Sequence, residues 1–319
     1  LNRVAVLDDY QDVALRMADW SSLPGTDVTL FHDHLADVEQ LATRLADYEM
    51  VVAMRERTAF PRPLLERLPR LRLLVATGRR HTVIDLHTAH EMGIIVSGTG
   101  GLASNTSELT WALILSLLRS VPAEATAMRT GGWQHTIGVD LAGKTLGILG
   151  LGSIGRRVAK VALAFDMHVL AWSQNLTASA AAEVGATWCE RDALLASSDV
   201  ITIHLVLSDR TLGLIGSQEL ASMKSGAYLI NTSRGPIVDE VALIDALRGG
   251  HLAGAALDVY GTEPLPPNHP LRTLPNVLLT PHLGYVTENT YRNMYRDAVE
   301  DIAAYLAGSP IRVVTEATG

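Results

Sequence analysis

The sequence predicts an α/β fold made of two doubly wound parallel-sheet domains, on three grounds. Short β-rich runs alternate with helical stretches along most of the 319 residues, the pattern of strands joined by crossover helices. The strand candidates are apolar on both sides, as expected where helices cover both faces of a parallel sheet. At about 150 residues per domain the length suits two domains, and 48% hydrophobic residues provide for two buried cores.

The first strand candidates are Val4–Leu7, Val28–Phe31, Met50–Val52 and Leu73–Ala76, with helical candidates at Asp37–Leu45 and Pro63–Arg67. Pro61-Arg-Pro63 marks a loop entering a helix. This α/β unit ends near Gly100, where Ser97-Gly-Thr-Gly-Gly101 reads as a glycine-rich break. A long helix follows, from an N-cap at Ser104 or Asn105 through Arg119, with Glu108 placed to complete a capping box. Apolar residues run almost all round it, so it is expected between domains or in a dimer interface. A second series of strand candidates comprises Leu146–Leu149, Val169–Trp172, Val200–His204, Tyr228–Ile230, Ala253–Leu257 and Val277–Leu279. The last helix, Glu288–Leu306, is expected to return to the first portion and make it discontinuous. The expected domains are therefore residues 1–101 plus 286–319, and residues 102–285.

Charge and cysteine usage narrow the function classes. Asp plus Glu outnumber Lys plus Arg, for a net charge of −8. That balance argues against nucleic acid or an anionic membrane as partner. The single cysteine, Cys189, excludes an intrachain disulfide or a multi-cysteine metal site and fits a reducing cytoplasm. No histidine cluster has convincing ligand spacing, so no metal is expected. Leu1–Asp9 does not read as a signal peptide, and the apolar run Leu109–Leu118 falls short of the ~20 residues that span a bilayer.

Gly150-Leu-Gly152-Ser-Ile-Gly155 follows a strand candidate and opens the helix expected at Arg156–Phe165. In that context Gly150 makes the tight turn, Gly152 lets a pyrophosphate approach, and Gly155 lets helix pack on strand. The N–H groups around Ser153 and Ile154 would meet the phosphates. A dinucleotide such as NAD(P)(H) is the expected ligand. The acid that would grip an adenosine ribose, about 20 residues further on, is missing. Ser173-Gln174-Asn175 stand there, and Asp166 precedes the strand. Neutral donors tolerate a 2′-phosphate that a carboxylate would repel, so the expectation leans to NADP(H).

Three later segments carry distinctive polar residues at expected strand ends. They are Asn231-Thr-Ser-Arg234, Leu257-Asp258-Val-Tyr-Gly-Thr-Glu263, and Thr280-Pro-His282-Leu-Gly284. An arginine fork can anchor a carboxylate. A histidine can pass a proton to a carbonyl oxygen as hydride arrives at carbon, and a glutamate can orient it.

These segments, in order after Gly150–Gly155, resemble the D-isomer-specific 2-hydroxyacid dehydrogenase family over nearly the whole chain. The resemblance implies a Rossmann cofactor domain inserted into a flavodoxin-like substrate domain, a homodimer, and interconversion of a 2-oxo acid with its D-2-hydroxy acid. It implies Arg234 as substrate anchor, His282 as acid/base and Glu263 as its partner. Asp258 is implied beside the nicotinamide, with His204 and Thr232 also on the cofactor. The backbone N–H groups of Ala76-Thr77-Gly78-Arg79 are implied to hold the substrate carboxylate. Asn105 and Glu108 match the start of the family's interdomain helix.

Some residues depart from the family pattern. Val206 replaces a usual proline. Tyr285 stands where relatives carry a small residue, either in the substrate pocket or as a surface aromatic. Thr77-Gly-Arg79-Arg80-His81 is unusually basic and, with Arg55 and Arg57, makes either a positive substrate mouth or ordinary arginines paired with Glu56 or Asp85. A rival function is a nicotinamide-sensing, corepressor-like protein of the same fold. Formate chemistry disagrees with Glu263, where a glutamine would be expected; phosphite oxidation is compatible with the three catalytic residues.

Overall fold

A computed structural model describes residues 1–78, 83–101 and 104–315. The strands are β1 Asn2–Val6, β2 Thr26–Leu30, β3 Met50–Ala53, β4 Leu73–Ala76, β5 Ile95–Gly98, β6 Thr145–Leu149, β7 His168–Trp172, β8 Thr187–Trp188, β9 Val200–Ile203, β10 Tyr228–Asn231, β11 Gly254–Leu257 and β12 Val277–Leu279. The helices are α1 Ala14–Met17, α2 Val38–Leu45, α3 Arg62–Leu65, α4 Leu86–Glu91, α5 Ser104–Leu118, α6 Val121–Arg129, α7 Ser153–Ala164, α8 Ala178–Ala182, α9 Arg191–Ser197, α10 Ser217–Ser222, α11 Glu240–Arg248 and α12 Glu288–Leu306. The chain packs as two compact units, Leu1–Leu102 with Thr287–Gly319, and Ala103–Val286.

Unit 1 holds a parallel sheet in the order β2-β1-β3-β4-β5. Strands β3 and β4 are buried at every position. One face packs Ala5, Val51, Ala53, Leu74 and Ala76 against Leu41, Leu45, Leu64 and Leu65 of α2 and α3. Helix α2 starts where Asp37 caps it, its side chain accepting the Gln40 N–H at 2.9 Å. Helix α12 packs on α1 and β4, burying Tyr291, Met294, Tyr295, Ala298 and Ile302. That spacing is one stripe of a helix.

Unit 2 holds a parallel sheet in the order β12-β11-β10-β9-β6-β7-β8. Neighbouring strand residues point to opposite faces, and each face has its own core. Ile201, Leu229, Ala255 and Leu257 join one cluster, while Val200, Ile230 and Ala256 join the other. Strand order reverses between β6 and β9, which pair from Leu146↔Val200 to Leu149↔Ile203. Ligands of open α/β sheets bind beyond the strand ends at such a reversal.

Several details differ from the sequence-based expectation. Ser97 and Gly98 belong to β5, so the glycine-rich break begins inside a strand. Asn105 lies within α5, buried, and Glu108 is exposed. Helix α5 packs on α7, β10 and β11 of its own unit. Helix α7 begins at Ser153, earlier than the expected Arg156. Among the described residues no helix is long and apolar enough to cross a membrane.

Candidate active site

The carboxyl ends of unit 2's strands collect most of the expected site residues. Beyond β6, Gly150 adopts φ +103°, and a Cβ there would stand 2.7 Å from the His204 carbonyl group. A Cβ on Gly155 would meet the Gly150 carbonyl oxygen at 2.1 Å. Gly152 has open space where its Cβ would be. These are the turn, the close packing and the free approach that a pyrophosphate cradle requires. Ser153, Ile154 and Gly155 form the first turn of α7, whose initial N–H groups lack intrahelical partners. The residues present therefore fit a dinucleotide.

Ser173 follows β7 half-buried and Gln174 is exposed, while Asp166 precedes β7 at the strand's other end. His204 follows β9. Its Nε2 lies 3.0 Å from Thr202 Oγ1, and its Nδ1 is buried without a hydrogen-bond partner among the described residues. Burial pushes this imidazole down from 6.5 to about 3, so it is neutral. Thr232 follows β10, its hydroxyl 2.9 Å from Thr110 of α5.

Arg234 ends a tight turn. Asn231 Nδ2 donates to the Arg234 carbonyl at 3.0 Å, and Asn231 Oδ1 accepts the Ser233 N–H at 3.0 Å. Gly235 is required next, because a Cβ there would overlap the Tyr260 backbone at 2.0 Å. The turn carrying Arg234 thus docks directly on the segment leading to Glu263. Glu263 Oε1 accepts the Tyr260 N–H at 3.0 Å, and its Oε2 lies 2.6 Å from His282 Nδ1. His282 itself adopts φ +53°.

Asp258, expected beside the cofactor, lies under the loop that carries His282. It is 0% exposed. Its Oδ1 accepts from Thr280 Oγ1 at 2.6 Å and Leu283 N at 2.7 Å, and its Oδ2 from Gly284 N at 2.8 Å. Burial pushes its carboxyl up, and these donors oppose the rise. These contacts pin the loop that carries His282. Tyr285 is buried too, not a surface aromatic, with its ring 5.6 Å from that of His282 at 78°. Tyr260 is the residue whose role the sequence hid. Its single hydroxyl hydrogen is shared between the carbonyls of Leu257, 3.0 Å away, and Thr280, 2.8 Å away, at the ends of β11 and β12.

In unit 1, Ala76, Thr77 and Gly78 end β4. The Thr77 N–H donates to the Ala53 carbonyl at 2.9 Å and the Gly78 N–H to Thr99 Oγ1 at 2.8 Å. Both N–H groups are engaged within unit 1; Arg79, with Arg80 and His81, lies outside the described residues. Arg55 covers this loop instead. A Cβ on Gly78 would stand 2.5 Å from Arg55 Nη1. Arg55 also pairs with Glu56 at 3.3 Å. Asp9, Asp12 and His32 bring ligand atoms within 4.8 Å of one another, but the Asp9 carboxylate accepts the Val13 and Ala14 N–H groups at the start of α1.

Comparison with known proteins decides the family. The family model for the D-isomer specific 2-hydroxyacid dehydrogenase NAD binding domain matches residues 111–284. This chain belongs to that family. A glyoxylate reductase of Aeropyrum pernix is 43% identical over 77% of the chain and 76% of its own length. A hydroxypyruvate reductase of Blautia hydrogenotrophica is 32% identical over 98% of the chain and 100% of its own length. The crystal structure of a phosphoglycerate oxidoreductase from Vibrio cholerae o395 superposes with a TM-score of 0.92, at 37% identity, over 97% of the chain and 100% of that chain. The D-3-phosphoglycerate dehydrogenase of Archaeoglobus fulgidus, 37% identical over 86% of the chain, is matched over only 52% of its length. The protein is thus a D-2-hydroxyacid dehydrogenase with a nicotinamide-binding domain.

Proposed function

We propose that the protein reduces a small 2-oxo acid to its D-2-hydroxy acid, reversibly, with His282 as acid/base, Glu263 as its partner and Arg234 as carboxylate anchor. The 2.6 Å contact between His282 Nδ1 and Glu263 Oε2 carries this reading. An imidazole that turns Nδ1 to a carboxylate presents Nε2 to a substrate. In reduction Nε2 gives its proton to the carbonyl oxygen; in oxidation it takes the proton back. The planar fork of Arg234 orients the acid. A nicotinamide dinucleotide bound at Gly150–Gly155, with Ser173, Gln174, His204 and Thr232 along its course, supplies or accepts the hydride.

The reading favours NADP(H). No carboxylate follows β7, and Ser173 and Gln174 are neutral donors there. In unit 1, Arg55 lies against Gly78 of the loop after β4, and a guanidinium there favours substrates carrying a second anionic group. The relatives named for glyoxylate, hydroxypyruvate and phosphoglycerate support small acids. A homodimer is part of the reading. Helix α6 buries no residue, and Trp133 and Ile137 beyond it are 71% and 98% exposed. Apolar exposure of that degree suits a second copy of the chain.

The test is turnover with NADPH and NADH separately, across 2-oxo acids with and without a second anionic group. Activity with a higher kcat/KM for NADPH and for the dianionic acids is expected. Cofactor binding without turnover of any acid would overturn the reductase reading in favour of a sensing role.

A further inference from the structure

Glu263 must hold one oxygen 2.6 Å from His282 Nδ1, yet it sits on a loop with little packing of its own. Residues 261–264 are exposed, and Leu265 is the first buried anchor after them. The loop is held from outside. Glu240, in the first turn of α11, accepts the Gly261 N–H at 3.4 Å through Oε2 and faces His269 Nε2 at 3.0 Å through Oε1. His269 Nδ1 accepts the Leu271 N–H at 3.4 Å. That contact assigns the ring hydrogen to Nε2, so His269 donates to Glu240. One carboxylate on a helix therefore spans the loop from Gly261 to His269. Arg272 braces the middle, donating to the Pro266 carbonyl at 2.9 Å and the Leu265 carbonyl at 2.7 Å.

We propose that Glu240 and His269 are positioning residues for the reaction, a second Glu–His pair whose task is to hold Glu263 against His282. The inference rests on the acid/base reading of His282 and Glu263. A carboxylate on an exposed loop samples many positions, and only those near Nδ1 orient the imidazole. Without Glu240 and His269 the backbone from Gly261 to His269 keeps its Leu265 anchor but loses the tie at both ends. The loss falls on the catalytic step, because neither residue lies on the groups assigned to the cofactor or the substrate carboxylate.

The test is a double-mutant cycle in the full-length enzyme with saturating reduced cofactor and its best 2-oxo acid. H269A is expected to lower kcat roughly tenfold to a hundredfold, with KM for the cofactor unchanged. In the E263Q background the same change is expected to cost less than about twofold, since the residue acts through Glu263. H269A is expected to move the pH profile of kcat/KM in the same direction as E263Q. E240Q, equal in shape, is expected to show the same dependence on Glu263 and serves if H269A does not fold. Equal fold-losses in both backgrounds, or an unchanged kcat in both E240Q and H269A, would overturn the proposal. An unchanged kcat in E263Q alone would instead defeat the acid/base reading, and this inference with it.

Discussion

At the scale of single residues, desolvation acts oppositely on the Asp258 carboxyl, pushed up, and the His204 imidazole, pushed down. Asp258 is enclosed by three donors that fix the 280–284 loop, and His282 on that loop is held at φ +53° with its ring between Glu263 and Tyr285. Replacing the imidazole removes the proton carrier and leaves the loop pinned. His282→Asn is expected to lower kcat by about 10²–10⁴-fold, with cofactor affinity and thermal midpoint close to wild type; a kcat near wild type would exclude His282 as acid/base. His204 is a neutral imidazole held down to about 3 by burial. The unfolded chain takes up its proton below about 6.5 while the folded chain does not. Its stability contribution is therefore complete above pH 6.5 and declines as pH falls toward 3. The slope is about 1.4 kcal/mol per pH unit in that window. His204→Gln should lack this slope, so urea midpoints of the two proteins should converge on acidification. Parallel curves from pH 7 to 5 would refute the assignment.

At the scale of elements, the strand–loop–helix at β6 and α7 makes a sharp distinction between glycines of the same motif. A Cβ on Gly155 has the Gly150 carbonyl oxygen 2.1 Å away, whereas a Cβ on Gly152 meets nothing within 4 Å. Gly155→Ala must push α7 off the strand, at a cost of about 1–3 kcal/mol. Gly152→Ala should leave stability unchanged and weaken dinucleotide binding, because it fills the approach alone. Thermal unfolding and a fluorescence titration of NADPH separate the two; equal stability losses would mean the packing is misread. This motif was legible in the sequence because its glycines, strand and helix are contiguous. The positions of Arg234 and His282, just beyond β10 and β12, follow from the same kind of contiguity, whereas Glu263 lies further out on the loop after β11. Strands β5 and β8 were not legible. The first ends in Ser97-Gly98, which reads as a turn, and the second is the short pair Thr187–Trp188. Nor was the enclosure of Asp258, which depends on donors 22 to 26 residues away. The engagement of the Thr77 and Gly78 N–H groups by Ala53 and Thr99 was hidden for the same reason, since no local pattern reports a neighbouring strand's acceptor.

At the scale of the whole molecule, each hydrophobic cluster lies inside one unit. The cluster of Ala5, Val51, Leu74 and Val96 belongs to unit 1, and the clusters on both faces of β6–β12 belong to unit 2. Unit 2 is continuous in sequence, Ala103–Val286, and its size is ordinary for an independent domain. It contains the whole glycine-rich loop, the Arg234, Glu263 and His282 side chains, and the exposed apolar segment with Trp133 and Ile137. Residues 103–286 expressed alone should therefore fold cooperatively and bind NADPH with an affinity close to that of the full chain. They should also self-associate, and Trp133→Asp with Ile137→Asp should shift both this fragment and the full chain to monomers by sedimentation. A fragment that binds dinucleotide as a monomer would place the second copy elsewhere. A fragment that does not fold would show that the cores on both faces of the sheet need unit 1, despite sharing no cluster with it.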